Sequence, residues 1–229
     1  MSQSPLSPTR RSTLNRSRER ARSDRSELYA LLDSCLVCHL GIIIDGAPLA
    51  LPTGYGRDGD TLYLHGSTGS ASLIAASGGA PVSVAVTRLD GIVYARSAFH
   101  HSINYVSAVV HGVASPVTDP EGKLDGLRVL TEHLAPGSWD ATRPPTRKEL
   151  AATTVLAMSL HNASVKMRSG PPRDDPEDVE AANVWAGVLP LHSGWGEPEP
   201  CPLLPQGTPI PGHVVRRSGV SVGPGRLTV

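Results

Sequence analysis

Aromatic residues are scarce in this chain: one phenylalanine, three tryptophans and five tyrosines among 229 residues. A core of this size must therefore be filled by aliphatic side chains. Cysteine is scarce as well, and three of them, an odd number in a chain this long, argue against a disulfide framework. No run reaches the roughly 18 apolar residues of a membrane span. The Arg- and Ser-rich start lacks the apolar stretch of a secretory signal, so a cytoplasmic protein with no membrane partner is expected. Net charge is absent too. Lys plus Arg and Asp plus Glu number 21 each, which names no partner for the whole chain.

The charge is unevenly spread. Residues 1 to 25 hold seven arginines (positions 10, 11, 16, 18, 20, 22 and 25) against Glu19 and Asp24, a net of +5. Residues 1–23 are rich in Ser, Pro and Arg, hold little apolar surface to offset ordering entropy, and are expected to form a disordered arm. Without interleaved aromatics or a recognisable module, the arm reads as solvated and not as a nucleic-acid contact. Residues 24–193 form the expected folded domain, and 194–229, dense in Pro and Gly, a disordered tail.

Within the domain, "SDRSELYALLDS" predicts a short helix capped by Ser23 or Asp24, with Leu28, Leu31 and Leu32 on one face. "CLVCHLGIIID" and "APLALPTGYG" are β-rich runs joined at Asp45-Gly46, a strong hairpin signal. "TLYLH" pairs next. "ASLIAAS" predicts a short helix stopped by Gly78-Gly79. Val82, Val84 and Val86 alternate on a strand, followed by an expected turn at Asp90-Gly91. "NYVSAVVHGVASPV" is a further strand. Leu124, Leu127, Leu130 and Leu134 mark a helix ended by Pro136-Gly137, and "ATTVLAMSLHNASVKMRSG" a last strand or strand pair. Six or seven strands with two or three helices predict a mainly β domain, a small barrel with peripheral helices.

Chemical signatures are mostly missing. Cys35, Cys38 and His39 match the C-x-x-C-H pattern of c-type haem attachment, but strand alternation places the two cysteines on opposite faces. No H-E-x-x-H, paired C-x-x-C or G-x-S-x-G occurs, so neither a metal site nor a hydrolase triad is expected. "HGSTGS", residues 65 to 70, is neither G-x-G-x-x-G nor a P-loop. Its glycines, hydroxyls and following helix leave two readings open, an anion nest or an ordinary capped turn.

Taken in order, "DGAPLALPTGYGRDGDTLYLHGS", "LDGIVYARSAFHHSINYVSAVVHGVA", "HLAPGSW" and "ASVKMRSGPPRDDPEDVEAANVWAGVLPL" resemble the FMN-binding split-barrel superfamily of pyridoxamine 5′-phosphate oxidase. Within it, the chain is similar to the flavin-nucleotide-binding branch related to nitroimidazole reductases. The resemblance implies a six- to seven-stranded split β-barrel, a homodimer, and FMN in clefts between subunits. It places Pro52, Thr53, Gly54 and Tyr55 along the flavin ring and His65, Gly66, Ser67 and Thr68 at the ring and phosphate. It adds Asn104, Tyr105 and Ser107 from one strand, Lys166 and Arg168 from another, and Trp185 beside the cleft. His65 is the candidate catalytic group.

Three positions depart from the family pattern. Relatives commonly carry a base where Ala71 and Ser72 stand, and Val106 and Ser138 replace the arginines of "NYRS" and "PGRW". Each change removes positive charge, and a charge-assisted bond is worth about 1.5–3 kcal/mol against about 1 for a neutral one. The implied function is an FMN-dependent oxidoreductase that passes two electrons from NAD(P)H to a small-molecule acceptor. The alternative is a non-catalytic module that holds flavin, haem or another flat ligand.

Overall fold

The structure, a computed structural model, describes residues 5–6, 9–181, 184–218 and 221–222. The chain falls into two compact units, one formed by residues 1–88 and 106–168, the other by 89–105 and 169–229.

The first unit opens with β1 (Ala21–Arg22) and α1 (Arg25–Ser34). Asp24 caps α1 by accepting from Ser26 N at 2.8 Å, and Leu28, Leu31 and Leu32 are buried at helical spacing. Next come β2 (Val37–Ile44) and β3 (Ala47–Asp58), paired antiparallel from Val37↔Gly54 to Ile44↔Ala47. Asp45 and Gly46 join them with φ of 51° and 77°, the two left-handed residues that a type I′ hairpin requires. β4 (Thr61–Ser67) pairs with β3, and α2 (Ala71–Ser77) follows it.

β5 (Pro81–Tyr94) and β6 (Ser102–Val113) run from one unit into the other. β7 (Ser115–Pro116), α3 (Pro120–Leu134), α4 (Arg147–Ala152), β8 (Thr153–Ser159) and β9 (Ala163–Arg168) complete the first unit. Strand order is β1-β9-β6-β5-β2-β3-β4-β8-β7, with β1/β9, β5/β2, β2/β3, β3/β4, β4/β8 and β8/β7 antiparallel. The core is aliphatic, as the composition requires: Leu40, Leu62, Leu64, Val84, Leu156 and Leu160 are each at most 2% exposed. Helix α3 docks on the sheet through two glycines. A Cβ at Gly56 would sit 2.8 Å from Val129 O, and one at Gly126 2.9 Å from Val155 Cγ1.

In the second unit, α5 (Pro176–Ala181) precedes β10 (Gly187–Pro190), which pairs with residues 91–94 of β5. The expected turn at Asp90-Gly91 is therefore corrected. Strand β5 runs straight through it, Gly91 lacks the positive φ of a hairpin, and its missing Cβ admits Leu189 O at 2.7 Å.

Described parts of both ends carry local structure. Leu6 and Ser12 are buried, and Ala21 and Arg22 pair with Lys166 and Val165. Ser193 and Gly194 pair with Val222 and Ser221, and Gly212–Arg217 is a short helix. Residues 1–4, 7–8, 219–220 and 223–229 of the expected arm and tail lie outside the described residues. No helix among the described residues is long and apolar enough to cross a membrane.

Candidate functional site

Two of the segments expected at a cofactor lie side by side in the first unit. Tyr55 on β3 is the partner of Leu64 on β4, so Thr53-Gly54 and His65-Gly66 continue along adjacent strands. On its other edge β4 pairs with β8, His65 opposite Val155, Gly66 opposite Thr154 and Ser67 opposite Thr153. Pro52, His65, Ser67 and Thr68 are exposed, while Thr53, Gly54 and Gly66 are half-buried. Desolvation by the surrounding protein lowers the pKa of the His65 imidazole from its ordinary value of 6.5 although the residue is exposed overall.

Tyr55 does something else. It is 1% exposed, and its hydroxyl donates to Leu32 O at 2.6 Å and Cys35 O at 2.9 Å, closing the carbonyl end of α1. Its side chain thus belongs to the core, where burial also pushes its pKa up.

The 68–70 turn settles how "HGSTGS" spends its donors. Thr68 N donates to Ala152 O at 3.0 Å, Gly69 N to Ser67 Oγ at 3.2 Å and Ser70 N to Ser67 O at 3.0 Å. These three amides close the turn, so an anion nest built from them is unavailable. The Ser67 hydroxyl only accepts in that contact and keeps its proton to donate. Ser72, where relatives carry a base, is buried with its Oγ 3.0 Å from Ser70 Oγ, and Val106 lies in the core at 3% exposure.

A second group sits elsewhere on the same sheet. Ser107 on β6 faces away from the core between buried Val106 and Ala108, and Lys166 and Arg168 are half-buried on β9. Three strands, β6, β5 and β2, stand between β9 and β3 in the sheet order. Neither β6 nor β9 is a hydrogen-bonded neighbour of β3 or β4.

A groove of ≈ 680 Å³ opens beside the β4/β8 end, where Thr153, the partner of Ser67, forms part of its wall. Leu127, Thr131, Trp139 and Arg143 also line it. The Glu132 carboxylate accepts from Gly137 N at 2.7 Å and Trp139 N at 2.8 Å, which fixes the turn that presents the tryptophan. Opposite, Arg143 grips Glu149 with two bonds of 2.6 and 2.8 Å, and Thr146 and Glu149 form a capping box at the start of α4. The sequence signal for it was the spacing Thr146-x-x-Glu149.

The remaining expected residues belong to the second unit. Asn104 is buried and donates to Gly170 O at 3.2 Å, and Tyr105 is half-buried. Trp185 is 69% exposed and 5.8 Å from the Tyr94 ring. Tyr94 also meets the His101 ring edge-on at 5.9 Å, and His101 Nδ1 lies 2.9 Å from Ser97 O. Phe99, the single phenylalanine, is 89% exposed nearby in sequence. Arg96 and Asp174 tie residues 96 and 174 of this unit together at 2.7 Å.

Neither cysteine of "CLVCH" is poised to hold a cofactor covalently. Cys38 is fully buried on β2 and burial pushes its thiol up to about 12, while Cys35 caps α1.

An antiparallel sheet of ten strands with peripheral helices and this strand order is a split barrel of the pyridoxamine 5′-phosphate oxidase type. The family model for pyridoxamine 5′-phosphate oxidase matches residues 24–167, and the chain belongs to that family. Among solved structures, the FAD- and haem-binding protein of Mycobacterium smegmatis is 42% identical with a TM-score of 0.85, covering 90% of this chain and 100% of that one. The flavocytochrome Anf3 of Azotobacter vinelandii is 36% identical with a TM-score of 0.87, covering 93% and 99%. A Bacteroides thetaiotaomicron protein assigned to 5-nitroimidazole antibiotic resistance shares the fold at 18% identity and a TM-score of 0.55, over 64% and 85%. No curated protein matches the chain.

Proposed function

We propose that the chain is a flavoprotein that also holds haem without a covalent link, and that it moves electrons between the two and a small-molecule acceptor. The observation that carries this reading is the likeness to an FAD- and haem-binding protein at 42% identity over nearly all of both chains. A flavocytochrome at 36% identity supports it. When bound, flavin supplies two-electron chemistry and haem iron one-electron chemistry.

The residues present fit a flavin. Thr53 and Gly54 on β3 and His65 and Gly66 on β4 offer an accessible stretch of two adjacent strands, with Pro52 at its edge. His65, whose desolvation favours the uncharged imidazole, presents a polar ring nitrogen. Ser67 and Thr68 are exposed hydroxyl donors, and Ser67 is the strand partner of Thr153 in the groove wall.

We take the flavin to be FAD in place of the expected FMN. A phosphate monoester carries about −1.5 to −2 charge at pH 7 and is best met by cations. Positions 72 and 106 are buried Ser and Val, and the 68–70 amides are spent. Neutral hydroxyl donors suit the lower charge per phosphate of a dinucleotide, and the groove lined by Trp139 offers room beyond it.

The reading also calls for a second copy of the chain. In this reading a flavin between two copies meets β3 and β4 of one protomer and Lys166, Arg168 and Ser107 of the other. Exposed Ile43 (66%) and Leu49 (39%) at the β2/β3 hairpin fit burial by such a copy. A reduced nicotinamide is the expected donor. Denaturing the purified protein and identifying the released flavin by mass tests the assignment: FAD supports it, FMN restores the first expectation, and no flavin before or after incubation with either rejects it.

A further inference from the structure

We propose that His101 is the side chain that ligates the haem iron. The proposal rests on the haem reading above and names the residue that would carry it. Of the nine histidines, three make a ring-nitrogen hydrogen bond among the described residues. His101 differs from the other two in which nitrogen it commits. Its Nδ1 lies 2.9 Å from the carbonyl oxygen of Ser97, and a carbonyl only accepts, so Nδ1 carries the proton and Nε2 keeps its lone pair. A metal-bound histidine is held in this way, with the second ring nitrogen donating to a backbone carbonyl so that tautomer and ring direction are fixed in advance.

His133 has the opposite arrangement. Its Nε2 donates to Cys35 O at 2.8 Å, which leaves only Nδ1, and its ring packs on Tyr55 at 4.8 Å. In His100, Nε2 is engaged by the Asp175 carboxylate at 3.1 Å.

A second observation concerns the surface around His101. In a chain with so few aromatics, Tyr94 stands between His101 and Trp185, with centroids at 5.9 and 5.8 Å, and Trp185 is 69% exposed. Ile103, two residues on, is 41% exposed and Phe99, two residues back, 89%. Large apolar side chains left in water next to a pre-set imidazole match what a flat hydrophobic macrocycle with a central metal needs: wide faces to cover and one nitrogen to bind. Every residue of this group belongs to the second compact unit.

The test uses the full-length protein titrated with ferric protoporphyrin IX and followed by visible absorption, with flavin content measured on the same samples. His101→Ala is expected to weaken haem binding by more than the roughly 10–100-fold that outer-shell partners of a ligand cost, and to shift the Soret band, at unchanged flavin content. His101→Gly with added imidazole regains the wild-type spectrum, and His100→Ala keeps it. Wild-type haem affinity and spectrum in both His101 variants would overturn the assignment while leaving the haem reading intact. A wild-type protein that holds flavin but takes up no haem overturns both.

Discussion

Gly56 on β3 and Leu130 on α3 touch backbone to backbone: a Cβ built on Gly56 would lie 2.9 Å from both the nitrogen and the α-carbon of Leu130. Neither can yield by rotating a side chain. Gly56→Ala therefore forces the helix off the sheet and should destabilise the fold by about 1–3 kcal/mol, the usual cost of overpacking. Urea denaturation of the two proteins reads the difference directly. Gly59→Ala is the comparison with open space around the Cβ, though its φ of 52° adds a local backbone cost.

Tyr55→Phe removes one buried hydroxyl that serves two carbonyls, Leu32 O and Cys35 O. His133 still reaches Cys35 O at 2.8 Å, so Leu32 O is the acceptor left unmet. The expected loss is about 1–3 kcal/mol of stability. Flavin affinity should stay unchanged, because Tyr55 belongs to the core; a variant of normal stability that loses flavin would return Tyr55 to the cofactor.

The Arg143 guanidinium, then the Thr146 amide and hydroxyl, hold the Glu149 carboxyl down to about 2, from an ordinary value of 4.5. With the folded value depressed, the contribution is fully present above pH 4.5 and is lost as pH falls from there through about 2. Side-chain NMR titration of Glu149 should give a midpoint near 2. Arg143→Ala should move it up toward 4.5, and a midpoint already at 4.5 in the native protein would show the contact absent in solution.

Thiol labelling separates the three cysteines. Cys201 is exposed and should alkylate at once, Cys35 is half-buried and slower, and Cys38 should stay unmodified until the protein unfolds. Mass spectrometry of the labelled native protein checks the order. Rapid labelling of Cys38 would contradict its place in the core.

Ser67→Ala tests the β4 end of the flavin proposal. Removing one neutral hydroxyl donor of about 1 kcal/mol should weaken flavin binding several-fold, with only a small loss of stability from the freed Gly69 amide, which is exposed. His65→Ala should instead alter the rate of flavin reduction by NADPH or NADH more than flavin affinity. Unchanged binding and rates in both variants would place the flavin elsewhere.

Much of the fold was legible because local chemistry decides it. Asp45-Gly46 makes its hairpin since both residues accept positive φ, and Asp24, the leucines of α1 and the valines of β5 follow their periods. Asp90-Gly91 carries the same dipeptide signal, yet there the glycine is needed for the close approach of β10, a contact nearly 100 residues away in sequence. The burial of the Tyr55 side chain was hidden for a related reason. Its neighbours Thr53 and Gly54 share a strand segment with it, and only the packing of α1 shows that this ring turns inward. The His101 tautomer lay beyond reach altogether, because adjacent histidines in a sequence say nothing about which carbonyl each one finds.

The central claim is a chain that carries flavin and non-covalent haem together. It is tested most directly by the visible spectrum of the purified protein after incubation with FAD and haem, followed by acid-acetone extraction. Flavin and haem bands in one preparation, with all haem extracted into the organic phase, are the expected result. A protein that retains neither chromophore after the free cofactors are removed would contradict the account.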